Sequence, residues 1–254
     1  PEACKINNIG LVDGAYNVFI RSATPSEGFG GGEPEIAAKP VMVGYLQESG
    51  DLTVLAAAQK GWDIIVVAFG RFTGDAFTII FGPSKGDAAL TADVRAALAA
   101  GAQHVLLSTG GQVNVNTYRP GKTSAKDGAK SMVAYVQQIG FTGIDFDIEI
   151  ASADASYLTD LITEINNLDS SLLITGAPQL DMKGLCDKTP PQTHSLILAP
   201  TMYAPAVKAG LFHYLFVQQY NSAWPGVGEP CIKETSTAFI SQSFPELQAI
   251  IPAA

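Results

Sequence analysis

Residues 143–149, Gly143-Ile144-Asp145-Phe146-Asp147-Ile148-Glu149, alternate three carboxylates with three large apolar side chains. Successive side chains of a strand point to opposite faces, so a strand places Asp145, Asp147 and Glu149 on one side and Ile144, Phe146 and Ile148 on the other. A helix would scatter both sets. Neighbouring carboxylates on the strand stand about 6.5–7 Å apart, near enough for each charge to raise its neighbour's pKa and leave one group carrying a proton near neutral pH. The apolar face suits a parallel strand packed under helices. Acids on the inner face cost on the order of several kcal/mol unless they are hydrogen-bonded, paired or at a wet mouth, so such a row points to function. Two plainer readings compete. One is a half-exposed edge strand with a solvated face. The other is a Mg²⁺ or Ca²⁺ site, which would need further oxygen ligands where the other strand ends supply mainly Tyr, Gln and Ser.

From Val41 onward, short apolar runs alternate with longer amphipathic stretches, the rhythm of βα units in a parallel sheet. The pattern predicts strands at Val41–Leu46, Asp63–Phe69, His104–Ser108, Gly143–Glu149, Leu172–Ala177, Leu215–Tyr220 and Leu247–Pro252. Helices are clearest at Thr91–Ala100, Ala125–Gln138, Ala155–Asn166 and Thr235–Ser241. The 254 residues fit one α/β (β/α)₈ (TIM) barrel, a fold of about 250 residues whose active sites lie at the carboxyl ends of the strands. The residues capping the predicted strands are Tyr45; Phe69; Ser108-Thr109-Gly110-Gly111; Glu149; Ala177-Pro178-Gln179; and Gln218-Gln219-Tyr220-Asn221.

The acidic strand resembles the signature of the family 18 glycoside hydrolases, the chitinases and their relatives, Asp-Gly-x-Asp-x-Asp-x-Glu. It departs from that pattern only at the first place, where Thr142 stands for Asp. Ser108-Thr109-Gly110-Gly111 is similar to the family's third-strand Ser-x-Gly-Gly. Ala177-Pro178-Gln179 and Gln218-Gln219-Tyr220-Asn221 resemble strand ends of the hevamine-like plant and bacterial branch. The resemblance covers about Val41 to Ala254. It implies a retaining, substrate-assisted glycosidase, one of the exceptions to the two-carboxylate rule. In that scheme Glu149 is the general acid and then base. Asp147 orients the substrate's acetamido N–H, Asp145 shares a proton with Asp147, and Tyr220 holds the reactive geometry. Tyr45 and Ser108 support Asp145 from behind, and Gly110 and Gly111 belong to the same substrate-binding end. Gln179, Gln218 and Asn221 line the sugar site, with Trp224 and Phe69 as stacking candidates, although either aromatic can equally be core. The implied partner is chitin or its oligosaccharides, with no metal and no cofactor. The chitobiose core of N-glycans is the alternative substrate, and a chitin-binding lectin on the same barrel is the non-catalytic alternative.

Net charge is −9 and no Lys/Arg cluster forms a phosphate-binding stripe, which argues against nucleic acid as a partner. No apolar run reaches the roughly 18 residues of a membrane span, so no membrane partner is expected. A secreted monomer is the expectation. Starting at Pro1 fits a processed exported protein and a cloning boundary equally. Cys186 and Cys231 fall in loops expected on one barrel face and can pair, leaving Cys4 single; three free thiols fit the count as well. Residues 1–40 read as an extension or linker with one strand-like stretch, Tyr16–Ile20, ahead of the catalytic barrel at 41–254. Leu247–Ala254 resembles the family's seventh strand, and an eighth is not evident. Three explanations fit: a shortened chain, a barrel that stays open, or the Tyr16–Ile20 segment in the vacant strand position.

Overall fold

The computed structural model describes residues 19–21, 41–46, 52–79, 86–111, 118–119, 123–149, 154–183, 195–198 and 202–218. The elements in chain order are β1 (Phe19–Arg21), β2 (Val43–Leu46), α1 (Val54–Gln59), β3 (Ile64–Thr73), β4 (Ala76–Ile79), α2 (Gly86–Ala99), β5 (His104–Gly110) and α3 (Ala125–Ile139). They continue with β6 (Gly143–Asp147), α4 (Ala155–Leu168), β7 (Leu173–Gly176), β8 (Leu180–Lys183), β9 (Ser195–Leu198), α5 (Ala204–Lys208) and β10 (Tyr214–Phe216). Strands β2, β3, β5, β6, β7 and β10 lie side by side in that order, every neighbouring pair parallel. These are successive strands of a (β/α)₈ barrel, joined by crossover helices.

Helices α3 and α4 start where predicted, while α2 begins at Gly86, five residues ahead of the predicted Thr91. Ser124 caps α3 by accepting the Asp127 N–H, and Gly140 ends it at φ 92°. Asp154 caps α4 by accepting from Tyr157 N. Thr53 caps α1, and Asp93 of α2 reaches across to accept the Val54 and Leu55 N–H groups at 2.9 and 3.0 Å. The buried stripe Ala129, Met132, Val133, Val136 and Ile139 of α3 repeats every three to four residues and packs with Leu158, Leu161, Ile162 and Ile165 of α4. Against these helices lie the outward strand residues Ile65, Val67, Val105, Leu107, Ile144, Phe146 and Ile174. The alternate residues Val43, Ile64, Val66, Leu106, Ala177 and Phe216 form a second, inward cluster.

The six predicted strands from Val41 to Tyr220 are present with shifted ends. The acidic strand closes at Asp147 instead of Glu149, because the ladder to β7 ends at Phe146↔Gly176 and that to β5 at Gly110↔Asp147. The last predicted strand shortens to Tyr214–Phe216, followed by an isolated parallel bridge between Gln179 and Gln218. Two hairpin features went unpredicted. β3 runs on to Thr73 and turns back through Gly74 into β4, and β8 with β9 makes a separate antiparallel pair between β7 and β10. Phe19–Arg21 joins the sheet, antiparallel, on the outer edge of β10. The opening segment therefore stands beside the sixth parallel strand, in the seventh's place and not the eighth's. Leu247–Pro252 and Thr235–Ser241 lie outside the described residues.

Candidate active site

Register builds the site. Ser108 of β5 is the Cα partner of Asp145 in β6, Asp145 is the partner of Thr175 in β7, and Thr175 of Tyr214 in β10. Partners across a parallel sheet share a face, so this row of polar residues crosses the interior of the barrel. Asp145 is fully buried and accepts three hydroxyl hydrogen bonds. Ser108 donates to Oδ2 at 2.7 Å, Tyr45 to Oδ2 at 3.1 Å, and Thr175 to Oδ1 at 2.5 Å. Burial raises its pKa, and the three donors pull it back toward the charged form. The Tyr45 hydroxyl is pushed well above its usual 10, first by burial and then by the Asp145 charge, so it stays a donor.

Asp147 stands one layer nearer the strand ends, buried, and accepts the Gln218 Nε2 at 2.7 Å. Burial is the largest cause lifting its pKa well above the carboxylate range, followed by the charges of Asp145 and Glu149, with Gln218 opposing. Glu149 lies past the end of the ladder and is half-buried. Burial raises its pKa and Gln218 again opposes. The three acids thus differ in environment. Asp145 is fully buried and held by three hydroxyl donors, Asp147 is the group most inclined to hold a proton, and Glu149 is the one that solvent reaches. This grading is what an acid/base site requires.

The backbone carrying the acids is clamped. Gly111 N donates to Asp147 O at 2.7 Å, and a Cβ on Gly110 (φ 129°) would stand 1.8 Å from that same oxygen. Gly110 is therefore required by close approach to the acidic strand, and Gly111 by its positive φ of 81°. Phe69, half-buried where β3 and β5 slip register, lays its ring edge against Gly111. Gln218 Nε2 also donates to Ala177 O at 3.0 Å, and Gln218 N to Pro178 O at 2.9 Å, which locks the end of β10 beside the Ala177-Pro178-Gln179 turn. Thr142, where the motif has Asp, sits at the opposite end of the strand. Its hydroxyl accepts from Val105 N at 3.0 Å and its backbone bridges β5 and β7.

Asp145, Asp147, Glu149, Tyr45, Ser108, Gly110, Gly111, Phe69, Gln179 and Gln218 are thus gathered at or near the carboxyl ends of successive strands. Tyr220, Asn221, Trp224 and the three cysteines Cys4, Cys186 and Cys231 lie outside the described residues. Two supporting residues escaped the sequence reading. Thr175 shows itself only once the register with Asp145 is known. Tyr203, fully buried, donates its hydroxyl to Phe146 O at 2.6 Å and accepts from Ile148 N at 2.8 Å. No periodicity marks it, because it precedes a helix of five residues.

The fold is shared with solved chitinases. A family 18 chitinase from Chromobacterium violaceum is 24% identical at a TM-score of 0.62, over 80% of this chain and 56% of that one. A putative chitinase A from Streptomyces coelicolor is 23% identical at 0.58, over 80% and 68%. The catalytic domain of a Pyrococcus furiosus chitinase is 16% identical at 0.62, over 83% and 67%. The chain thus spans little more than half the length of the Chromobacterium protein. A search of curated proteins found no match. The model of the glycosyl hydrolases family 18 matches residues 41–229, which hold all six parallel strands described above, and the chain belongs to that family.

Proposed function

We propose that the protein hydrolyses β-1,4-linked N-acetylglucosamine polymers with retention, using the substrate's own 2-acetamido group as nucleophile. The observation that carries this is the column of Asp145, Asp147 and Glu149 at the strand ends, in which burial raises the pKa of the acid nearest solvent and lifts that of its inner neighbour well above the carboxylate range. Glu149 gives its proton to the glycosidic oxygen as the C1–O bond breaks. The acetamido oxygen closes on C1, forming an oxazolinium ion. Water then attacks C1 while Glu149 takes the water's proton, which restores the acid. Asp147 accepts from the acetamido N–H and balances the positive charge as it develops, an arrangement already in place before reaction. Asp145 couples to the titration of Asp147. Tyr220 steadies the acetamido group, and Gln179, Asn221 and Trp224 contact sugar.

That the solved structures named above are chitinases is in keeping with this reading. An extracellular polymer as substrate would make the protein a secreted one, working as a monomer. The test is product analysis on N-acetylglucosamine oligomers of defined length beside a high-mannose glycopeptide, for the wild type and Glu149→Gln. Oligomer cleavage should fall about 10²–10⁴-fold in the variant while oligomer binding survives. Cleavage of the glycopeptide alone would move the substrate to N-glycans. Binding without cleavage by the wild type would make the protein a lectin.

A further inference from the structure

The ladder that carries the acids stops at Asp147, where Phe146 O still accepts from Ala177 N at 2.8 Å and Asp147 O from Gly111 N at 2.7 Å. A single phenol reaches both of the peptide groups that flank this residue. Tyr203 donates to Phe146 O, which precedes Asp147, and accepts from Ile148 N, which follows it. The phenol therefore bridges the peptide groups on either side of Asp147, at the point where the chain leaves the ladder towards Glu149. The ring has been given its place. It is 5.6 Å from Phe212, and Gly176 of β7 leaves it room, since a Cβ there would meet Tyr203 Cε1 at 2.9 Å. Tyr203 makes no hydrogen bond to either carboxylate among the described residues, and it acts on the backbone on both sides of Asp147. The Asp147 carbonyl is fixed from the other side by Gly111 N.

We propose that Tyr203 is a positioning residue for the reaction, its hydroxyl setting the direction in which Asp147 and Glu149 leave β6. This rests on the hydrolytic reading above. It makes the distance between the two acids depend on a residue that lies 54 positions from Glu149 in the chain. Phenylalanine at this position keeps the ring and removes only the bridge.

The test compares the full-length wild type with Tyr203→Phe, at a temperature where circular dichroism shows both folded. On N-acetylglucosamine oligomers kcat should fall about 10–100-fold, the scale of an ångström-sized misplacement, while KM moves less than about threefold. The limbs of the kcat pH profile should be displaced. Independently of turnover, the ¹³Cγ titration of Asp147, assigned with Asp147→Asn, should shift in Tyr203→Phe. Gly176→Ala, which retains the hydroxyl but crowds the ring, should shift it in a folded protein even if Tyr203→Phe does not fold. A lowered melting temperature with unchanged kcat, pH profile and Asp147 titration would overturn the proposal. A wild type without hydrolysis would sink the hydrolytic reading, and the Asp147 titration would still decide the role of Tyr203.

Discussion

Asp147 is the residue where function and stability oppose each other. Its folded pKa is raised above the usual 3.8 by burial, Asp145 and Glu149. Its stabilising contribution is therefore complete below pH 3.8 and is lost as pH rises through the folded value. At pH 7 the site works against the fold. Asp147→Asn keeps an acceptor for Gln218 and removes a charge from between two others. The melting temperature at pH 7 should rise, by about 2–4 °C for each kcal/mol relieved, while kcat collapses, and calorimetry at pH 4 should show the gain shrinking. At this scale the sequence was informative where chemistry repeats with a short period: the alternation Asp145, Asp147, Glu149 announced one face, and Tyr45 and Ser108, read as its neighbours, donate hydroxyl hydrogen bonds to Asp145. It was mute on Thr175 and on what Gln218 does. Gln218, expected to line the sugar site, donates its amide to Asp147 and to Ala177 O. Those roles depend on which residues of separate strands come into register, and no local pattern encodes that.

At the scale of elements, the joint between β7 and β10 is the weakest seam of the site. The ladder there pairs only Tyr214↔Thr175 and Leu215↔Gly176, and His213 extends it by its backbone N–H to Ile174 O at 2.8 Å and by its ring Nδ1, which accepts Ile174 N at 3.0 Å. A protonated Nδ1 is a donor facing a donor. Burial lowers the pKa of His213, and burial with the His213 charge lowers that of His104. A depressed folded pKa means stability fully present above the unfolded value near 6.5 and lost as pH falls through the folded one. His213→Asn retains an acceptor near Nδ1 without titrating. Melting curves between pH 7 and pH 5 should fall less steeply for this variant than for the wild type; parallel curves would show that the imidazole does not govern the joint. The element ends were the part least legible in sequence. β6 stops two residues early because both neighbouring ladders run out, and β3 overruns its predicted end at Phe69 because the Thr73-Gly74-Asp75 turn supplies it with β4 as an antiparallel partner.

Over the whole molecule, the barrel could be read from rhythm alone, since apolar runs buried on both faces alternate with one-sided amphipathic helices from Val41 to Tyr220. What rhythm does not encode is insertion and edge pairing. The β8–β9 hairpin interrupts the βα alternation, and three residues near the start, Phe19–Arg21, find their partner almost two hundred residues away in β10. The order of strands nevertheless sends every capping residue described to one end, and there the column of acids meets its donors. The central claim is that this column protonates a leaving group while the substrate's acetamido oxygen attacks its own C1. The most direct measurement is the rate and product anomer, by proton NMR, for chitotetraose beside its fully deacetylated counterpart. The account predicts that the acetylated sugar yields the β anomer first and that the deacetylated one is not cleaved. Comparable cleavage of both, or the α anomer as first product, would contradict it.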